Sequence, residues 1–165
     1  MIRSLFHNVV VGYNGSRSSL NAVMYSILMA KIYKCRVKIV YVVDTDSIKK
    51  LTLTKFLMRD EGHSLKGDLQ LDADKDLAYV EKLAKSKGVK VETEIRQGAV
   101  WSEVITAADE YKADLILLGG VDNSSVSKMI RHGMVGAQDS EIIGSAHCSV
   151  LVVRQPQIEQ LFRLS

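Results

Sequence analysis

The strongest constraint on the fold is a regular alternation between short apolar runs and longer segments of helical periodicity. Five runs have the length and the β-branched, aliphatic composition of strands. These runs are NVVVGYNGS, RVKIVYVVD, VKVETEI, DLILLGG and SVLVVR. Strands that alternate with helices form a parallel sheet with helices on both faces, because each parallel pair needs a crossover connection. We therefore predict an α/β fold with an open five-stranded parallel sheet.

The segments between these runs carry apolar residues at the spacing of amphipathic helices. They are SRSSLNAVMYSILMAKIYK, DADKDLAYVEKLAKSKG, AVWSEVITAADEYKA and GMVGAQDSEIIGSAH. Ser16 is suited to cap the first helix, because a serine hydroxyl accepts hydrogen bonds from first-turn backbone amides. The stretch Thr45–Leu71 has no clear pattern, and for its apolar residues from Leu51 to Met58 both a short helix and a flap remain open.

Length and composition indicate a single domain over residues 1–165. The chain is 47% apolar and 25% charged, which is ordinary for a globular protein, and it has one proline and no low-complexity linker. Residues 155–165 form a C-terminal tail that is amphipathic at best. We expect this tail either to wrap a neighbouring chain or to be disordered.

Charge and hydrophobicity argue against nucleic acid and membrane insertion. The 22 basic and 19 acidic residues are spread along the chain, without a dense basic run. No apolar run approaches the ~18 residues needed to span a bilayer, and the N-terminus lacks the pattern of a signal peptide. Cys35 and Cys148 have no zinc-site spacing around them. We expect a protein of the reducing cytoplasm.

The first and fourth runs both end in loops that contain glycine, GYNGS and GGVDNSS. In such sheets ligands bind at the carboxyl ends of the strands, where the direction of winding reverses. We therefore predict that strands one and four are neighbours and that a ligand site lies between them. Gly119 and Gly120 either line this site or only permit a tight exit from the strand.

Three segments, taken in order, resemble the universal stress protein family. VVVGYNGSRSSLNAVMYSILMAK and RVKIVYVVD are similar to its opening strand, loop, helix and strand. WSEVITAADEYKADLILLGG resembles its third helix and fourth strand, and GAQDSEIIGSAHCSVLVVR resembles its last helix and fifth strand. The resemblance covers nearly the whole chain. It implies a Rossmann-like sheet with strand order 3-2-1-4-5 and, commonly, a homodimer.

Members of this family that bind ATP carry the phosphate motif G-x2-G-x9-G-[ST] after strand four. Its glycines let backbone amides approach the phosphates, and its hydroxyl adds a donor. Gly119 and Gly136 match the first and third glycines, whereas Asp122 stands at the second and Ala137 replaces the serine or threonine. Thirteen residues, 123 to 135, separate Asp122 from Gly136, where the motif has nine.

Other residues of the two loops complete the candidate site. Lys128 and Arg131 lie in the longer loop and either neutralise phosphates or are solvated charges. The resemblance implies that the first loop contributes as well, and we assign its residues Tyr13, Asn14, Gly15 and Ser16 to the site. ATP-binding members usually carry aspartate at the position of Asn14, and Val42 matches the position whose backbone commonly meets the adenine. The alternative for Asn14 and Ser16 is that they only shape a turn and cap a helix.

The resemblance implies a stress-response regulatory domain that binds a small adenine nucleotide, either ATP, AMP or cyclic AMP, at the switch point between strands one and four. The altered motif favours a monophosphate or a cyclic ligand, which needs fewer phosphate contacts. We expect little or no hydrolysis, because no Ser-His-Asp or Cys-His arrangement can be argued from the sequence. A magnesium ion held by Asp44 and Asp122 is the less favoured interpretation.

A second hypothesis is a nucleotide-free homodimeric interaction module that regulates a partner protein. In the order 3-2-1-4-5, the apolar strand Ser149–Arg154 lies at the sheet edge, where it invites pairing with a twofold-related copy. The stretch Thr45–Leu71 would then be the docking surface for the partner protein.

Overall fold

The computed structural model describes residues 4–46, 59–120 and 137–165, without the side chains of residues 59–66 and 137. Strands and helices alternate along the chain as predicted. The strands are β1 (Asn8–Tyr13), β2 (Arg36–Val43), β3 (Glu92–Gln97), β4 (Leu115–Gly119) and β5 (Ser149–Val153). The helices are α1 (Arg17–Tyr33), α2 (Arg59–Ser86), α3 (Val100–Glu110), α4 (Ala137–Ser145) and α5 (Ile158–Leu164).

The strands form a parallel sheet in the order β3-β2-β1-β4-β5, which confirms the predicted order. β1 lies between β2 and β4, with Val11 paired to Ile39 on one side and to Leu117 on the other. β3 is half-exposed at one edge, as its alternating pattern predicts. The carboxyl ends of β1 and β4 therefore emerge side by side.

Each face of the sheet is covered by a different set of helices. Val9 and Val11 belong to a core cluster with residues of α1, α2 and α5, whereas Val10 belongs to a cluster with residues of α3 and α4. All three valines have no exposed surface. This alternation follows from the period of two in a strand, and the burial on both faces explains why three consecutive residues of β1, Val9 to Val11, are apolar.

The long helix α2 begins at Arg59 and so occupies part of the stretch that the sequence left open. Leu69 extends the buried stripe of Ala73, Leu77 and Val80 toward the N-terminus of the helix. Gly62 and Gly67 weaken the helical pattern there, because glycine is a poor helix former. Residues 47–58 of the docking surface predicted for Thr45–Leu71 lie outside the described residues.

The C-terminal tail differs from the prediction, because it forms α5 and packs on its own chain. Ile158 and Phe162 are 1% and 5% exposed within the larger core cluster. The Lys87 ammonium lies 4.8 Å from the centre of the Phe162 ring, and Arg17 forms an ion pair with Glu159. The expectation of a disordered or reaching tail is therefore wrong. The i, i+4 spacing of Ile158 and Phe162 was the signal for this helix.

Candidate functional site

A cavity of about 550 Å³ opens at the carboxyl ends of β1, β2 and β4, within the size range of small-molecule sites. Its floor is apolar and includes Val40, Val42, Val104 and Leu118. One side, which we call the loop wall, is formed by Tyr13, Asn14, Ser16, Ser18 and Ser19 at the β1–α1 junction. A second side, which we call the helix wall, is formed by Gln138, Asp139 and Ile142 of α4.

The structure brings together six of the residues that the sequence assigned to the site. The residues that line the cavity are Tyr13, Asn14, Ser16, Val42, Gly119 and Gly120. Gly15 belongs to the same loop but does not line the cavity in the described part of the chain. Asp122, Lys128, Arg131 and Gly136 lie outside the described residues. Ala137 is the first residue of α4, and its side chain is not described.

Neutral hydrogen bonds around Asn14 hold the loop wall. The Asn14 side-chain oxygen accepts from the Ser16 backbone amide at 3.0 Å and from the Ser19 hydroxyl at 2.7 Å. Because a backbone N–H can only donate, these contacts identify the side-chain oxygen and leave the amide nitrogen as the group available to a ligand. Ser16 also caps α1, since its hydroxyl accepts from the Ser19 amide at 3.2 Å.

Beneath the loop wall, two tyrosines and a carboxylate fix the turn at Gly15. Gly15 has φ +82°, and a Cβ at this position would overlap with the Asp76 carboxylate. The Tyr41 hydroxyl donates to the Asn14 carbonyl at 3.3 Å, and its ring meets that of Tyr13 edge-on at 5.8 Å. Burial raises the pKa of Tyr13 to about 12, and the nearby Asp76 carboxylate adds to the shift. Tyr13 is therefore a neutral phenol at physiological pH.

Gly119 allows the end of β4 to approach the first turn of α1. A Cβ at Gly119 would overlap with the Ser18 carbonyl group and the Ser19 nitrogen, which are backbone atoms that cannot move away alone. At Gly120 a Cβ would meet only ordinary contacts, at 3.6 Å from Val152 and 3.8 Å from Arg154. Gly119 therefore serves the tight strand exit, and it also borders the cavity.

On the helix wall, Gln138 joins α4 to α3. Its side-chain oxygen accepts from the Trp101 backbone amide at 3.0 Å. The N-cap residue of α3 is Ala99, whose side chain makes no capping hydrogen bond. Gln138 thus satisfies a first-turn amide that would otherwise lack a partner within α3.

The side chain of Asp139 also lines the cavity. Burial raises the pKa of its carboxyl, and the positive charge of Arg154 opposes that shift. Asp44 is a second carboxylate in the lining, at the end of β2. None of the lining residues that the structure describes is lysine, arginine or histidine. The described lining therefore has an excess of negative charge.

From the sequence alone, we did not assign Gln138 and Asp139 of the helix wall, or Tyr41 of β2, to the site. Counting back from β5 placed Gly136 at the motif's third glycine, which puts Gln138 and Asp139 two and three residues later, in the first turn of α4. That count was the signal for both residues. Tyr41 precedes Val42 in a strand buried on both faces, so its pattern gave no sign that it borders a cavity.

Neither a metal cluster nor a membrane span is found in the described ranges. Residues 4–46, 59–120 and 137–165 contain no group of three or more His, Cys, Asp or Glu side chains that could hold a metal ion. No helix in these ranges is long and apolar enough to cross a bilayer.

Comparison with known proteins identifies the family. The model of the universal stress protein family matches residues 5–154. The chain belongs to the universal stress protein family. Universal stress protein MJ0531 of Methanocaldococcus jannaschii is 30% identical over an alignment of 162 positions that covers 94% of this chain and 86% of the relative.

Solved structures show the same fold at lower identity. Universal stress protein UspA from Lactobacillus plantarum has a TM-score of 0.72 at 20% identity, covering 92% of this chain and 100% of that one. A universal stress protein in complex with cAMP has a TM-score of 0.64 at 23% identity, covering 92% and 98%. A family protein from Arabidopsis thaliana with AMP bound has a TM-score of 0.63 at 12% identity, covering 93% and 94%.

Proposed function

We propose that this protein is a stress-response regulatory domain that binds a small adenine nucleotide in the cavity between the loop wall and the helix wall. The observation that supports this most directly is the cavity itself, at the carboxyl ends of β1 and β4, where α/β sheets bind ligands. Two structural neighbours, one in complex with cAMP and one with AMP bound, point to the same ligand class.

The lining offers complementary groups for the parts of such a ligand. The apolar floor formed by Val40, Val42 and Leu118 suits the face of an adenine ring. The Asn14 amide nitrogen and the Ser16 and Ser18 hydroxyls lie beside the floor and suit ribose hydroxyls. None of the described lining residues is a histidine, or a lysine or arginine that would position phosphates for attack by water, so we propose a binding module with little or no hydrolysis.

Mass analysis of small molecules released on denaturation, combined with a melting scan against ATP, ADP, AMP and cyclic AMP, tests the proposal. A ligand at a hundred times its Kd should stabilise the fold by ~2.7 kcal/mol, which raises Tm by several degrees at roughly 2–4 °C per kcal/mol. Failure to release a nucleotide, together with an unchanged Tm at millimolar ligand, would contradict it.

A matched pair of variants ties the ligand to the cavity. Val100→Trp fills space in the lining, at the start of α3, and should abolish both the released nucleotide and the Tm shift. Thr106→Trp places the same side chain on the exposed face of that helix and should preserve both. Equal ligand loss in the two variants would place the ligand elsewhere.

A second function, homodimerisation, is supported by a separate feature of the sheet. β5 is an edge strand in the described part of the chain, and its residues Val150, Leu151 and Val152 remain only partly buried. The nearby helix α4 exposes 54% of Ile143. An apolar edge of this kind favours pairing with a copy of itself. We propose that Ser149–Arg154 is the dimer interface.

Sedimentation equilibrium tests the dimer. Val152→Lys should convert the dimer to a monomer, because twofold pairing brings like charges together; Val152 belongs to neither core cluster, so the fold should persist. Thr106→Lys adds the same charge on α3 and should leave the mass unchanged. A monomeric wild-type protein at tens of micromolar would contradict the interface.

A further inference from the structure

The Asp139 carboxylate occupies an unusual position for an acid in the first turn of a helix. Such acids commonly face solvent, where they interact favourably with the positive end of the helix dipole. Asp139 instead lines the cavity and is only partly exposed. In the described part of the chain, no hydrogen bond reaches its carboxylate, and Arg154 is the charged group that faces it.

Packing of the helix wall does not account for this carboxylate. The contact between α4 and α3 is made by Gln138, which accepts from the Trp101 amide, and by Ile142, which is 1% exposed in the core. Asp139 takes part in neither contact. Its charge is thus directed at whatever fills the cavity.

We propose that Asp139 is a specificity-determining residue that makes the cavity select adenine ligands of low negative charge over polyphosphates. This inference rests on the proposed function and specifies its ligand. Adenosine and cyclic AMP bind more tightly than ATP. A partly buried carboxylate repels phosphate oxygens strongly, because the interaction is screened less than in water.

The same placement offers a favourable contact to a ligand without phosphate. A carboxylate that has no hydrogen bond in the described part of the chain can accept hydrogen bonds from hydroxyl groups, and ribose provides two of them. Replacing the carboxylate by an amide keeps an acceptor oxygen and removes the charge. Affinity for phosphate-bearing ligands should therefore change far more than affinity for adenosine.

Calorimetric titration of adenosine, cyclic AMP, AMP and ATP, in magnesium-free buffer, tests this order in three proteins. Wild type should bind adenosine and cyclic AMP at least about tenfold more tightly than ATP. Asp139→Asn should improve ATP affinity about tenfold and change adenosine affinity by less than about threefold. Glu141→Gln removes the same charge at an exposed position of the same helix, outside the cavity lining, and should reproduce wild type.

The outcomes separate the two claims. If adenosine and cyclic AMP bind but Asp139→Asn leaves ATP affinity unchanged, or Glu141→Gln improves it equally, the role of Asp139 is overturned and the nucleotide proposal stands. If no adenine compound binds either wild type or Asp139→Asn, both claims are overturned. ATP binding that appears only in Asp139→Asn supports the role of Asp139.

Discussion

The two walls of the cavity are built in opposite ways. The loop wall is held by neutral hydrogen bonds around Asn14 and by the close approach of Gly119 to Ser18. The helix wall, in its described part, is tied to α3 by the Gln138 contact and places a carboxylate in the cavity. Hydrogen bonds within the loop wall fix the orientation of the Asn14 side chain without a ligand. We propose that the wall with the carboxylate discriminates between ligands.

The largest expected effect comes from breaking the packing behind the loop wall. Gly119→Ala places a methyl group against the backbone of Ser18 and Ser19, so β4 or α1 must shift. We expect a loss of about 3 kcal/mol in the free energy of unfolding. Chemical denaturation measures this loss.

Gly120→Ala is the matched control for that variant. Its methyl group meets only ordinary contacts, so the free energy of unfolding should stay within ~0.5 kcal/mol of wild type. Equal losses in the two variants would show that the approach of β4 to α1 does not hold the loop wall.

The hydrogen bonds of Asn14 should have the next largest effect. Asn14→Ala removes the acceptor for the Ser16 amide and the Ser19 hydroxyl, and we expect a loss of ~1–2 kcal/mol in the free energy of unfolding. Asn14→Asp keeps an acceptor oxygen and should lose less than half as much. An unchanged midpoint of urea unfolding in Asn14→Ala would show that this network contributes nothing to stability.

The corresponding change on the helix wall should be smaller. Gln138→Ala removes the acceptor of the Trp101 amide. Because only one hydrogen bond is lost, we expect the free energy of unfolding to fall by ~0.5–1 kcal/mol. Gln138→Glu retains an acceptor oxygen and should recover most of the stability. A loss in Gln138→Ala as large as that in Asn14→Ala would remove the contrast between the two walls.

The sequence could predict features that depend on local patterns, but not features that depend on contacts between distant residues. The five strands, the pairing of β1 with β4 and the cap at Ser16 follow from local patterns, namely the apolar runs, the glycine loops and a serine before a helix. The full strand order came from the resemblance to the family. The roles of Gly15 and Asp139 depend on neighbours distant in the chain. Asp76 lies 61 residues after Gly15, and nothing in the sequence of either residue indicates their contact. In the sequence, Asp139 looks like an ordinary acidic residue in the first turn of a helix. Only the structure shows that it lines the cavity.

The α5 helix also depends on tertiary contacts that the sequence pattern does not specify. Ile158 and Phe162 were visible in the sequence, but their spacing covers only one turn. A helix as short as Ile158–Leu164 is unstable alone, so its existence depends on the surface of α1 and on Phe162 beneath Lys87. Local pattern therefore predicted an amphipathic tail, and tertiary packing decided where it lies.

The smallest effect, and the most diagnostic one for the helix wall, is the pH dependence that Asp139 adds to stability. Because its pKa is raised in the folded protein by burial, the unfolded chain releases this proton at lower pH than the folded chain does. As pH rises from the ordinary range of aspartate to above the raised value, the unfolded state is therefore favoured and stability falls. Asp139→Asn cannot undergo this loss.

Thermal melts from pH 3 to pH 8 should therefore show Asp139→Asn gaining stability relative to wild type as pH rises. The difference should be smallest at the acid end, where Asp139 is protonated in both states, and should level off above its folded-state pKa. Glu141→Gln, which removes an exposed charge from the same helix, shows how much of the response comes from net charge alone. If the difference in stability between Asp139→Asn and wild type is the same at every pH, the pKa of Asp139 does not change on folding. The helix wall would then lack the buried charge that distinguishes it from the loop wall.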